Sequence, residues 1–201
     1  MTQTVDQYLK LMQEARQYSK ELLLKPDKAT PNLRTPTKID LVKFLTRNIP
    51  DLNHLAHNCM FTASLSPKLE EIGFHGGEVS IGYMRYNNDD EFFTTKELLA
   101  KELANPGDLG VQLHVWLTFP GGRIFDPSLL VSFQKEDGKA LIGSKIDQYI
   151  IYDYAGIPSF SPDMEYIPII IGSDYLYKTK LIIKENPKYN QFGKNAADHA
   201  Y

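Results

Sequence analysis

From Val111 to Thr118 the residues alternate with a period of two, and a paired strand is the structure that satisfies such a pattern. Val111, Leu113, Val115 and Leu117 are apolar, whereas Gln112, His114, Trp116 and Thr118 are not. A strand here has one apolar face and one face bearing an imidazole and an indole. Pro120-Gly121-Gly122 turns the chain, and Arg123 to Asp126 returns as the second strand of a hairpin. The parity of the loop decides which side chains meet. An odd loop puts Asp126 on the face of His114 and Trp116 and sets Phe125 beside Leu117. An even loop would bury an unpaired carboxylate, which costs more than burying a ring returns. The expected hairpin therefore has an odd loop or a bulge, with Asp126 next to His114. One ring nitrogen then donates to the carboxylate and the other is left to act as a base.

The rest of the chain is compatible with one well-buried core. Its 201 residues are 42% hydrophobic and 23% charged, as expected of a single globular domain. A net charge of -3 and a pI near 6.0 give no electrostatic case for a nucleic-acid partner or an anionic membrane. The longest apolar runs, such as Ile169 to Ile171, fall far short of the roughly 20 residues of a spanning helix. Met-Thr-Gln-Thr-Val-Asp at the start lacks a basic n-region followed by an apolar stretch, so export by the general route is not expected. A single cysteine, Cys59, cannot form an internal disulfide and suits a reducing compartment. A cytoplasmic location is expected.

Residues 1 to 50 read as two packing helices. Thr4-Val5-Asp6-Gln7 is a capping box, and Val5, Tyr8, Met12, Ala15 and Leu22 recur at helical spacing over residues 4 to 24. Thr37 caps a second helix that ends before Pro50. Neither helix carries a cluster of titratable groups on its apolar side. In the segment from Asp51 to Gly73, Asn58 is expected to cap a short buried helix with Cys59 in its first turn, broken or restarted at Ser66-Pro67 and ended by Gly73. Glu78 to Tyr86 reads as a strand and Thr94 to Ala104 as a connecting helix. Gln148 to Tyr154 and Glu165 to Ile171 are strand-like, Pro168 marks the latter as an edge or bulged strand, and Ser173 to Thr179 as a helical turn. Residues 51 to 184 thus form the core, and 185 to 201 a polar tail.

A helix start, a strand and an adjacent strand can each supply one member of a Cys59, His114, Asp126 triad. At the helix start the unsatisfied N–H groups and the dipole favour a thiolate. The imidazole takes the thiol proton and the carboxylate fixes its tautomer, which is the layout nucleophilic acyl transfer requires.

A cysteine at the start of a buried helix, a strand reading His114-Val115-Trp116, a glycine turn and a strand ending Asp126-Pro127 together resemble the transglutaminase-like branch of the papain-type cysteine enzymes. The resemblance covers about residues 50 to 130. It implies an α+β fold in which the N-terminal helices pack on an antiparallel sheet around a transglutaminase-like or papain-like core. It also implies a Cys59 nucleophile, a His114 base and acid, and an Asp126 orienter. The family includes proteases, amidases, transglutaminases, acyltransferases and inactive relatives, so the reaction class expected is acyl transfer through a thioester on a peptide, protein or small amide. The alternative is a catalytically silent relative that binds a peptide or partner protein in the same cleft. His57-Asn58 precedes the cysteine where many members have glycine or an aromatic residue.

For the oxyanion the chain offers the backbone N–H of Cys59, with the side chain of Asn58, Gln112 or Asn53 as a second donor. Trp116 is expected to wall the cleft and exclude water. His54-x-x-His57-x-Cys59, with His75 or His114 as a fourth ligand, is the rival chemistry. Its spacing fits neither of the paired patterns of structural zinc sites, so neither a metal nor a cofactor is expected.

Overall fold

The computed structural model describes residues 3–27, 33–49, 51–56, 58–107, 110–136, 145–154 and 164–182. His57, the loop containing Pro158 and Pro162, His199 and the expected polar tail lie outside the described residues. Among the described residues the protein is α+β, with seven α-helices and one antiparallel sheet of six strands. No described helix is long and apolar enough to cross a membrane.

Helix α1 (Val5–Glu21) begins with the expected capping box. Thr4 Oγ1 accepts from Gln7 N at 3.2 Å and Gln7 Oε1 accepts from Thr4 N at 2.7 Å, which satisfies two of the amides a helix leaves open at its start. Helix α2 (Lys38–Asn48) starts with the same device built from Thr37 and Asp40. Helix α3 (Met60–Glu71) differs from expectation at both ends of its first half. Cys59, already in the α-helical conformation, occupies the N-cap position with no side-chain cap bond, so Asn58 does not cap. Pro67 lies inside the helix: Leu65 and Leu69 on either side of it are fully buried, and that packing carries the helix past the proline. Gly73, at φ +85°, ends the helix, with Phe74 N donating to Leu69 O at 2.9 Å in the manner of a Schellman motif.

Strand β1 (Glu78–Tyr86) is the centre of the sheet. Its first half pairs with β3 (His114–Phe119) and its last residues with β2 (Asp89–Glu91). Strand β6 (Met164–Ile171) pairs with Ser80 to Tyr86 and so occupies the opposite edge. Strand β4 (Arg123–Asp126) pairs with β3, and β5 (Ile151–Tyr154) pairs with β4. The β3–β4 loop is Pro120-Gly121-Gly122, with Leu117 opposite Phe125 and Phe119 opposite Arg123, which is the odd parity the buried-carboxylate argument requires. Helix α4 (Lys96–Ala104), capped by Thr95, links β2 to β3, and α5 (Leu129–Glu136) follows β4. A helical turn, α6 (Ile146–Tyr149), stands where the start of the β5 strand was expected. Helix α7 (Asp174–Lys178) follows β6.

The expectation of one polar strand face open to the cleft holds only at His114, because β3 is buried along its whole length. Val79, Ile81, Val115, Leu117 and Phe125 pack with residues of α2 and α3 in one apolar cluster. Tyr8, Met12 and Ala15 of α1 cover the other face, where Met84, Trp116, Ile124 and Tyr166 lie. Two covered faces explain why a histidine and a tryptophan alternate with aliphatics yet see no bulk solvent.

Gly82 is the hinge of this sheet. It stands opposite His114 on β3 and Pro168 on β6, and the register with β6 shifts between Ile81 and Gly82. The shift accommodates the proline, whose nitrogen cannot donate to a ladder. A Cβ at position 82 would collide with Ile167 O. Gly82→Ala is therefore expected to destabilise the protein by about 3 kcal/mol, measured as a lowered urea midpoint with an unchanged m-value.

Candidate functional site

The cleft lies where the start of α3, the residues before β3, the end of β2 and the start of α5 meet. Its volume is about 460 Å³, and Cys59, Glu91, Phe92, Gln112 and His114 are among the residues that line it. That size suits a small ligand or one residue of a chain.

Asp126 and His114 form the site's rigid half. The odd hairpin puts them on one face, and His114 Nε2 lies 2.6 Å from Asp126 Oδ2 with both side chains buried. An ionised carboxylate only accepts, so Nε2 carries the proton and, in the neutral ring, Nδ1 holds the lone pair. The other carboxylate oxygen, Oδ1, accepts from Ser128 N and Ser128 Oγ, each at 3.0 Å, and from Leu129 N at 3.1 Å. Asp126-Pro127 thus forms an Asx-type turn that opens α5. Tyr166 Oη donates to Oδ2 at 3.0 Å. Five hydrogen bonds reach this carboxylate, which is why it tolerates complete burial.

Electrostatics follows from those contacts. Burial by itself depresses the His114 imidazole, but the charge and hydrogen bond of Asp126, with the neighbouring Cys59 sulfur, push it up to about 10. Burial works against Asp126 as well, yet His114 and the amides of Ser128 and Leu129 hold its carboxyl below the usual carboxylate range. Burial and the facing Asp126 carboxylate push the Tyr166 hydroxyl well up, so it remains a donor.

Cys59 is partly exposed in the cleft wall. Its thiol donates to Leu113 O at 3.5 Å, while His114 Nδ1, buried, makes no hydrogen bond. The sulfur is therefore close enough to raise the ring's proton affinity, with its S–H directed to the adjacent carbonyl. Rotation about the Cβ–Sγ bond, which leaves the sulfur in place, is the motion that turns the S–H away from that carbonyl.

Aromatic rings hold the imidazole in plane. Phe92, at φ +56°, stacks on the cleft side with centroids 5.1 Å apart and planes 19° apart. Trp116 stacks on His114 at 5.9 Å and 26°, and its Nε1 donates to Tyr8 Oη at 2.8 Å. Tyr8 Oη in turn lies 2.6 Å from Thr118 Oγ1, which lies 2.8 Å from Ser80 Oγ. Because Tyr8 accepts from the indole, its own hydrogen is available to Thr118, and the chain of donors closes without an unpaired group. A non-glycine residue at positive φ stores on the order of 1–3 kcal/mol, which here sets a ring over the imidazole.

Of the six residues expected at the site, Cys59, His114 and Asp126 converge. Gln112 is exposed and lines the cleft, and Asn58 is exposed beside the start of α3. Trp116 is fully buried, so it backs the imidazole instead of walling the cleft. Tyr8, Phe92 and Tyr166 were not singled out from the sequence. Tyr8 reads there as one apolar position of an amphipathic helix, and the other two depend on pairings remote in the chain. Asn53 and His54 fall in a short 3-10 turn (Leu52–His54), where Asn53 bonds to Asp51.

Comparison of the chain with protein-family models, with curated proteins and with solved structures finds no match in any of the three.

The His114 shift has a definite consequence for stability. A folded-state value raised from 6.5 to about 10 contributes stability that is complete below about pH 6.5 and is lost as pH rises through about 10. Urea unfolding free energies should fall between pH 7 and pH 10, and Asp126→Asn should flatten that fall.

Proposed function

We propose that the protein is a cysteine enzyme of the transglutaminase-like kind, which transfers an acyl group from an amide or peptide bond through a thioester on Cys59. The observation that carries this reading is a buried imidazole with one nitrogen committed to Asp126 at 2.6 Å and the other unbonded beside a cleft cysteine.

The thiol proton is held on His114 Nδ1, whose affinity for it Asp126 and the Cys59 sulfur raise, and the Cys59 thiolate attacks the carbonyl carbon of the amide, whose π electrons move to oxygen. The imidazolium then gives its Nδ1 proton to the departing amine nitrogen as the C–N bond breaks, leaving a thioester. Water or an amine, deprotonated by the same Nδ1, attacks the thioester and returns the proton and the free thiol. Cys59 N–H, at the open end of α3, and the Gln112 side chain at the cleft are donors for the oxyanion. Phe92 and Trp116 keep the ring from tilting while it shuttles the proton, and the aromatic faces favour its cationic form.

Incubation with an ester acyl donor, quenched and read by intact mass, is expected to give one acyl adduct on Cys59. His114→Ala should slow its formation at pH 7 by about 100-fold or more. An adduct rate equal to that of a free thiol and unaffected by His114→Ala would overturn the enzymatic reading in favour of a binding cleft.

Tyr166 is a positioning residue in this scheme, acting on His114 through Asp126. Tyr166→Phe removes a hydrogen bond to a buried carboxylate, so kcat/KM is expected to fall about tenfold. Its pH profile should also be displaced, which a loss of packing alone would not produce.

A further inference from the structure

We propose that Glu91 selects substrates carrying a positive charge beside the carbonyl that Cys59 attacks. This rests on the reading of Cys59 as nucleophile and adds the chemical class of its substrate. Glu91 ends β2 and, among the described residues, is the one carboxylate lining the cleft. Among the described residues the cleft wall contains no Lys or Arg, and the remaining ones are neutral apart from Cys59 and His114. The cationic form of His114 is balanced by Asp126, against which it is buried. The uncompensated charge facing a ligand is therefore that of Glu91.

Its neighbours do not neutralise it. Arg85, the nearest cation along the β1–β2 hairpin, is engaged by Asp90 at 2.8 Å and Glu165 at 3.4 Å. Glu91 makes no ion pair or side-chain hydrogen bond among the described residues. The hairpin register, Met84 opposite Glu91 and Arg85 opposite Asp90, places these consecutive acids on opposite faces. Arg85 and Asp90 pair on one, and Glu91 is left to the cleft. Phe92, the next residue, stacks on His114, which ties the carboxylate's position to that of the catalytic ring. A cation beside Phe92 would also meet an aromatic face.

The test uses three methanethiosulfonates of similar size, bearing an ammonium, a sulfonate or no charge. In each case the thiolate of Cys59 attacks the sulfenyl sulfur, a mixed disulfide forms and methanesulfinate leaves. Rates are normalised to those of a small free thiol, which removes intrinsic reactivity. The full-length protein is expected to prefer the cationic over the anionic reagent by about 3- to 10-fold at low salt. The preference should shrink in 1 M salt, disappear in Glu91→Gln and reverse in Glu91→Lys. An equal ratio in the unsubstituted protein and Glu91→Gln would overturn the proposal, as would failure of every reagent to reach Cys59. Charge selection that survives in His114→Ala without any acyl adduct would uphold the cationic site and sink the acyl-transfer reading.

Discussion

A carboxylate without solvent access is tolerated in this fold only because the protein surrounds it with donors, and the arrangement of those donors sets much of the architecture. Asp126 ends β4, opens α5 through the amides of Ser128 and Leu129, meets the imidazole of β3 and receives a hydroxyl from β6. Four elements are thereby held to one side chain. Removing a single partner from such a buried pair leaves a charge uncompensated, at a cost of about 3–5 kcal/mol. The interaction that aims His114 is thus also one that holds the sheet to its flanking helix.

The second dependency is the cover supplied by α1. His114, Trp116 and Thr118 would make an amphipathic strand face if they met water. Instead Tyr8, fully buried, accepts from Trp116 and lies in hydrogen-bond contact with Thr118. Burial, against the lowering effect of its hydrogen bonds with Thr118, Trp116 and Ser80, pushes the Tyr8 hydroxyl up to about 12, so the network keeps its protons across the physiological range. The imidazole is gripped between an indole anchored from behind and a phenylalanine in front, which confines its motion to the plane that contains both Asp126 and the cleft. The reactive half of the site is looser by comparison. Cys59 sits at a helix cap without a side-chain bond to hold it, and its thiol has a carbonyl acceptor close by.

How much of this could be read from residues alone depended on the range of the interaction. The odd β3–β4 loop followed from strand alternation and the cost of an unpaired buried carboxylate. Both capping boxes followed from contacts three residues apart. The edge and bulge of β6 followed from the missing donor of Pro168. Local rules misplaced the start of α3 and broke it at Pro67, because the burial of Leu65 and Leu69 outweighs what one proline costs. The β5 strand was begun too early, since the run that contains Gln148 and Tyr149 is strand-like yet coils as a helical turn. The largest error concerned Trp116: it was expected to wall the cleft, and the fold put α1 over it, leaving His114 as the residue of that face at the cleft.

The chain's order therefore determined by itself that a histidine and an aspartate would meet across a tight hairpin, because register within a hairpin is a matter of counting residues. It also determined that a cysteine would begin a helix, and that the proline of the last strand would sit at an edge. Only the tertiary structure decided that the cysteine and the histidine line one cleft, that Tyr166 and Tyr8 brace the histidine and the aspartate from remote segments, and that Phe92 and Glu91 face the cleft. Those outcomes depend on which faces of separate elements are pressed together, and packing of that kind is a property of the assembled core that no short window of residues contains.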